Sequence, residues 1–332
     1  MDWARVLAIP TVVSLHVLSP AAFAIDAVSP TAWGFVDLVN SASRWGVPVF
    51  VMVSGALLLD PKYALGSTGA FLSRRMRRLL VPLAFWSLVF WWFSVNVRGQ
   101  DVGPSEFGRR LVAGGSYFHL YFLYIVAGLS LVTPLLRPFV TSASTRVLGL
   151  TAAVGLGWAI LDRVFLEAGL ARSPNGIELF THYVGYFVAG AWVARIEPSR
   201  GWGWLALMVA ALGIVTTAIG TWILAHGPGG EHQTFLYTYT SPATVVTSLA
   251  VSVAIRVFAT AAPRWLPTAA RLTFGVYLIH PLTLPWLVSW TPIVSPTTWL
   301  PAAYGVQLVV SIAIAGVAAA AFRRLPLARA MV

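Results

Sequence analysis

MDWARVLAIPTVVSLHVLSPAAFAI, residues Met1–Ile25, is the stretch on which the reading of the whole chain turns. Most of it is apolar, and it is long enough to cross a bilayer as a helix, which takes roughly 20 residues. Arg5 and His16 stand eleven positions apart in it. At about 100° per residue that is close to three full turns, so a helix puts both side chains on one face, about 16 Å apart. An ionisable side chain inside a membrane span is costly and is by default a functional candidate. We expect Arg5 to mark the cytoplasmic mouth of a polar path and His16 to be a base part-way along it. A neutral imidazole can take a proton from a hydroxyl near neutral pH. The other reading of His16, a packed histidine bonded to a neighbouring helix, stays open. The run ends in Ala22-Phe23-Ala24, which resembles a leader cleavage site, but the region before it is nearly neutral and His16 interrupts the apolar core. The segment is therefore read as the first helix.

Working outward, 58% of the 332 residues are hydrophobic and 10% are charged, against about 25% charged in soluble proteins. The expected fold is all-α, a polytopic membrane protein forming a single domain over residues 1–332. Hydrophobic runs divided by Pro, Gly and charge clusters give ten spans, near 4–25, 43–59, 79–97, 117–137, 146–162, 180–195, 202–225, 240–259, 272–290 and 302–322. With a cytoplasmic amino terminus, sixteen of the 22 basic residues fall on the inner side and six on the outer side. This positive-inside bias predicts that both termini are cytoplasmic. It also accounts for the net charge of +11 without nucleic acid as a partner.

The composition excludes several chemistries. There is no cysteine, hence no disulfide, no thiolate nucleophile and none of the common structural zinc sites. Lys62 is the single lysine, so a phosphate-binding Gly-Lys loop is absent. The loop running from His226 through Glu231 to His232 matches no metal-ligand spacing, and no metal is expected. Ser54-Gly55 lacks the Gly-x-Ser-x-Gly frame of a nucleophile elbow, and Gly55 is expected to let helices approach closely.

Four arginines, Arg74, Arg75, Arg77 and Arg78, lie in the inner loop before Pro82. Arg75 and Arg78, three apart, would share a helix face and could grip a phosphate-rich ligand in the bidentate manner arginine favours. The alternative is an anchor to lipid headgroups. Arg44 breaks the inward bias of charge, which suggests contact with an acceptor or pairing with Asp26 or Asp37; a snorkelling interfacial arginine is the alternative. His119, His182 and His280 each begin or lie within a span. Together with His16 they could line one cavity, but a sequence does not bring helices together.

At this point the residues resemble a known family. Arg5 and His16 reproduce the Arg-x10-His pattern of the membrane acyltransferase-3 family of bacterial O-acyltransferases. Further stretches resemble it in the same order: Arg44-Trp45-Gly46-Val47-Pro48-Val49-Phe50 running into Ser54-Gly55, Arg75-x-x-Arg78 before Pro82, and His119-Leu120-Tyr121-Phe122-Leu123, where tryptophan is usual at the place of Tyr121. Tyr183-Val184-Gly185-Tyr186-Phe187 and Phe274-Gly275-Val276-Tyr277-Leu278-Ile279-His280-Pro281 follow. The resemblance implies an enzyme of the bacterial cytoplasmic membrane, in the compact form without a fused esterase-like domain. It would carry an acyl group, usually acetyl, from cytoplasmic acyl-CoA to a hydroxyl of a cell-envelope glycan or lipid-linked sugar. His16 is then the catalytic base with Arg5 beside it, and Arg74, Arg75, Arg77 and Arg78 bind the CoA phosphates. Arg44, His119, Tyr121 and His280 are candidates for substrate contact. No permanently bound cofactor is expected; acyl-CoA is a substrate, and membrane lipid is a partner. A different class, a transporter or flippase of an anionic glycolipid, would use the same arginines for phosphate and His16 as a gate.

Overall fold

The computed structural model describes residues 1–63, 66–227, 235–290, 300–326 and 328–332. Among these, the helices in chain order are α1 (Asp2–Ala22), α2 (Pro30–Ser43), α3 (Gly46–Leu58), α4 (Thr68–Asn96), α5 (Pro104–Val112), α6 (Tyr121–Ser142) and α7 (Thr145–Glu167). They continue with α8 (Val184–Arg195), α9 (Arg200–His226), α10 (Pro242–Phe258), α11 (Leu266–Ile279), α12 (Leu284–Trp290) and α13 (Leu300–Arg324). No strand occurs among the described residues, so the all-α expectation holds. Serine starts many of these helices. Ser29, Ser67, Ser144, Ser199 and Ser241 each accept, on the side-chain oxygen, the backbone N–H three residues on, which satisfies one of the four donors that a helix start leaves open.

Among the described residues, eight helical segments are long and apolar enough to cross a membrane, or nine if α11 and α12, bent by 55° at a short break, form one span. Ten spans were expected, and one of the ten segments is short. The segment near 180–195 is α8, with 12 residues, which at 1.5 Å each reach about 18 Å of a hydrocarbon core near 30 Å. It is apolar because Gly185 to Ala191 are buried in protein, and hydropathy alone does not separate a buried helix from a lipid-facing one. A correction concerns the basic cluster. Arg74, Arg75, Arg77 and Arg78 do not lie in a loop, because α4 already starts at Thr68 behind its Ser67 cap. Arginine is a good helix former, and only the hydropathy, not the helix, stops there.

The chain forms two compact units, one of Met1–Phe50 with Glu197–Ala321, the other of Val51–Ile196 with Phe322–Val332. In the first, α9 and α10 pack through Ala206, Ala210, Ala250 and Ala254, and α1 packs on α2 and α11. The amino end of α1 is held where Trp3 donates its indole N–H to the Ala261 carbonyl and meets Trp265 edge-on, centroids 5.4 Å apart. In the second unit, α7 packs on α8, and α4 on α6. A Cβ added to Gly55 would lie 1.8 Å from the Phe187 carbonyl oxygen, and one added to Gly190 would lie 1.8 Å from that of Met52. The expected role of Gly55 is thus seen directly: α3 and α8 touch backbone to backbone, as small residues allow in membrane bundles.

The outer faces are greasy. Leu150, Val154 and Trp158 on α7 are 67%, 72% and 60% exposed, and Met208 and Leu212 on α9 are 66% and 66% exposed. Water would not tolerate apolar surface on this scale, and lipid does. The chain is a multi-pass membrane protein.

Candidate active site

In the first unit, His16 sits past the middle of α1 and is half-buried. His280 stacks on it, with ring centroids 5.3 Å apart and planes inclined by 26°. The second ring is placed by a helix break. His280 and Pro281 open the short 3-10 turn His280–Leu282 between α11 and α12, where proline cannot continue the ladder. His280 is fully buried. Its Nδ1 lies 3.1 Å from the Val276 carbonyl oxygen, and a carbonyl only accepts, so Nδ1 carries the proton.

Around this pair the unit is unusually polar. Ser14 on α1 shares a hydrogen bond of 2.7 Å with the Tyr304 hydroxyl on α13. Thr283 donates to the His280 carbonyl at 2.7 Å, and its hydroxyl also lies 2.7 Å from that of Ser311. Tyr304, Gln307 and Ser311 follow each other at helical spacing, so one stripe of α13 is polar.

The second polar face belongs to α2. Asp37, Asn40 and Ser41 are buried, and Arg44 continues the stripe at the helix end. Arg44 donates from Nη1 to the Tyr237 carbonyl at 2.8 Å and from Nη2 to Asn40 Oδ1, while its guanidinium lies 4.2 Å from the centre of the Tyr237 ring. The Tyr237 hydroxyl donates to Asp37 Oδ1 at 2.6 Å, and Ser41 donates to the same oxygen at 3.3 Å. Asp37 and Arg44 therefore do belong together, joined through Tyr237. Asp26 plays no part in this network.

Of the remaining candidates, Arg5 lies on α1 eleven positions before His16 and pairs with Asp2 at 3.5 Å. In the second unit, Arg75 donates from Nε to the Ser130 hydroxyl on α6 at 3.1 Å, while Arg74, Arg77 and Arg78 are exposed. His119 is fully buried against aromatic edges, 4.9 Å from Phe90 and 5.7 Å from Tyr117. Tyr121 opens α6, half-buried. His182 pairs with Asp162 at 2.6 Å, and His226 stacks on Trp222. Glu231 and His232 of the sequence-level metal question lie outside the described residues. Among the described ones, no three or more His, Cys, Asp or Glu side chains gather as a metal site.

The residues that sequence reasoning passed over are Asn40, Ser41 and Tyr237. The signal was available for two of them: polar residues at 37, 40, 41 and 44 trace one helix face in an otherwise apolar segment. For Tyr237 there was none, since its contact spans 200 positions.

The family model of an acyltransferase domain matches residues 1–318. The chain belongs to the acyltransferase-3 family. No curated protein and no solved structure matches it. The first unit brings together the stacked imidazoles of His16 and His280 and a buried polar face on α2.

Proposed function

We propose that this acyltransferase is an O-acetyltransferase of the bacterial cytoplasmic membrane, taking acetyl from acetyl-CoA to a hydroxyl of a cell-envelope glycan or lipid-linked sugar. The observation that carries the reading is the stack of His16, on α1, with His280, in the turn after α11, inside a family whose chemistry is acyl transfer. His16 takes the hydroxyl proton as the oxygen attacks the thioester carbonyl carbon. The carbon–sulfur bond then breaks, and the thiolate recovers the proton from the imidazolium. The deciding experiment uses purified protein in lipid nanodiscs with radiolabelled acetyl-CoA and an envelope-glycan extract. Label appearing in glycan supports the reading. A transporter would instead move glycolipid across a vesicle wall without consuming donor.

Donor binding is proposed at the α4 arginines. Arg75 keeps one N–H on Ser130, and Arg78, exposed and one turn on, shares its side of the helix. Charge-assisted hydrogen bonds to phosphate are worth about 1.5–3 kcal/mol each. Replacing Arg75 and Arg78 together by alanine should therefore raise the KM for acetyl-CoA by roughly tenfold or more, with kcat changed little. An unchanged KM would reduce the cluster to a headgroup anchor.

Both termini are proposed to be cytoplasmic, on the inward excess of arginine. A cysteine added after Val332 should react with a membrane-impermeant maleimide only in inside-out vesicles. Labelling of intact spheroplasts would reverse the assignment.

A further inference from the structure

Among the described residues, several buried donors of the first unit have no acceptor, and one of them is on the polar face of α2. Asn40 is 1% exposed. Its Oδ1 takes a hydrogen bond from Arg44 Nη2, which settles the orientation of the amide: a flipped side chain would set NH2 against a guanidinium that only donates. The Nδ2 group is left buried with no hydrogen-bond partner among the described residues. An unsatisfied buried donor is costly, and in a native protein it asks for a reason.

Its position supplies one. α1 and α2 touch near one end where Trp33 donates to the Ala22 carbonyl at 3.3 Å. Just past the other end of α2, Gly46 at the start of α3 lies so near Thr11 and Ala8 that a Cβ there would fall 2.1 Å from the Thr11 hydroxyl. His16 is about midway between the α1 contacts, and Asn40 is about midway between the facing ones. The two therefore lie at about the same level along the neighbouring helices α1 and α2. Arg44 follows Asn40 by one turn on the same polar face.

We infer that the Asn40 side-chain amide is the oxyanion donor of the acyl transfer, its Nδ2–H meeting the thioester carbonyl oxygen as that oxygen gains negative charge, with Arg44 and Tyr237 as positioning residues. The inference rests on the proposed role of His16. When the acceptor oxygen attacks, the O–C bond forms, the π pair of the carbonyl moves onto its oxygen, and the proton passes to His16. The imidazolium must keep that proton for the leaving thiolate, so the anion needs another donor. His280 does not offer Nδ1–H, which is given to Val276. Asn40 offers an N–H that is already desolvated, on an amide already held by its oxygen, so little reorganisation is needed as charge builds. Arg44 holds the amide by its oxygen. Tyr237 holds Arg44 by its carbonyl and its ring, and Asp37 holds the Tyr237 hydroxyl.

The test is steady-state kinetics in nanodiscs on wild type, Asn40→Asp, Asn40→Ala, Tyr237→Phe and His16→Ala, with melting temperatures in parallel. Asn40→Asp keeps the shape and the Arg44 contact but has only acceptor oxygens. Its kcat should fall about 10²–10³-fold, the usual loss for one oxyanion donor, with both KM values within about threefold of wild type and no drop in melting temperature. Asn40→Ala should fall similarly, and Tyr237→Phe should lose less kcat, again with KM unmoved. A kcat for Asn40→Asp within about threefold of wild type overturns the inference, as does a loss carried wholly by KM. If His16→Ala transfers acyl at the wild-type rate, the reading of His16 falls first and this inference with it. If His16→Ala is dead while both Asn40 variants turn over normally, the base stands and the oxyanion donor is wrong.

Discussion

Replacing His16 by alanine is expected to lower acyl transfer by about 10²–10⁴-fold or more, the contribution typical of a positioned general base. The measure is initial rate with labelled acetyl-CoA at saturating donor. The protein should still fold, because the ring is only half-buried, while His280 keeps its own bond to Val276 and its place in the helix break. The melting temperature should therefore stay within a few degrees of wild type. His280→Ala should cost less, since the proposed role of that ring is to orient His16, on which it stacks. Transfer by His16→Ala at the rate of the native protein would end the case for base catalysis at this position.

The largest effect on stability is expected at Gly190. A leucine there would drive its Cβ to within 1.8 Å of the Met52 carbonyl oxygen. That oxygen belongs to the backbone of α3 and is not the flexible tip of a side chain, so one helix must move off the other. Overpacking ordinarily costs about 1–3 kcal/mol, occasionally more, and a backbone contact belongs at the upper end. Proteins of this kind rarely hold more than 5–15 kcal/mol in reserve. Gly190→Leu should give little monodisperse protein after detergent extraction, while Gly157→Leu, on a part of α7 where an added Cβ meets nothing within 4 Å, should extract normally. Equal yields of the two would mean that α3 and α8 are not locked at this crossing.

How far the sequence could be read depended on what each feature needs from its neighbours. α1, α9, α10 and α13 begin and end within a few residues of the expected spans, because hydropathy and serine caps are local properties. The start of α4 was missed, since four arginines in its early turns lower the hydropathy while favouring the helix. α2 was missed for a related reason: its inner face is polar, so a window average diluted it. His16 was recognisable alone, as an ionisable group in an apolar run. Its partner was not, because His280 comes alongside only through the packing of α1 on α11. The same holds for the Arg44–Tyr237–Asp37 chain, whose members are distant in sequence but adjacent in space.

The shortness of α8 has a consequence for biogenesis. A helix of about 18 Å, preceded by the 3-10 turn Leu179–Tyr183, leaves peptide groups at depths where lipid provides no partner. Such a segment gains little by leaving the translocon alone. It has to be received by chain already inserted, and Gly55 on α3 and Gly155 on α7, both made earlier by the ribosome, are the surfaces that meet it. Membrane integration of this protein is then ordered by packing as well as by hydropathy, and a nascent chain halted just after Arg195 should hold α8 only if α3 and α7 are intact.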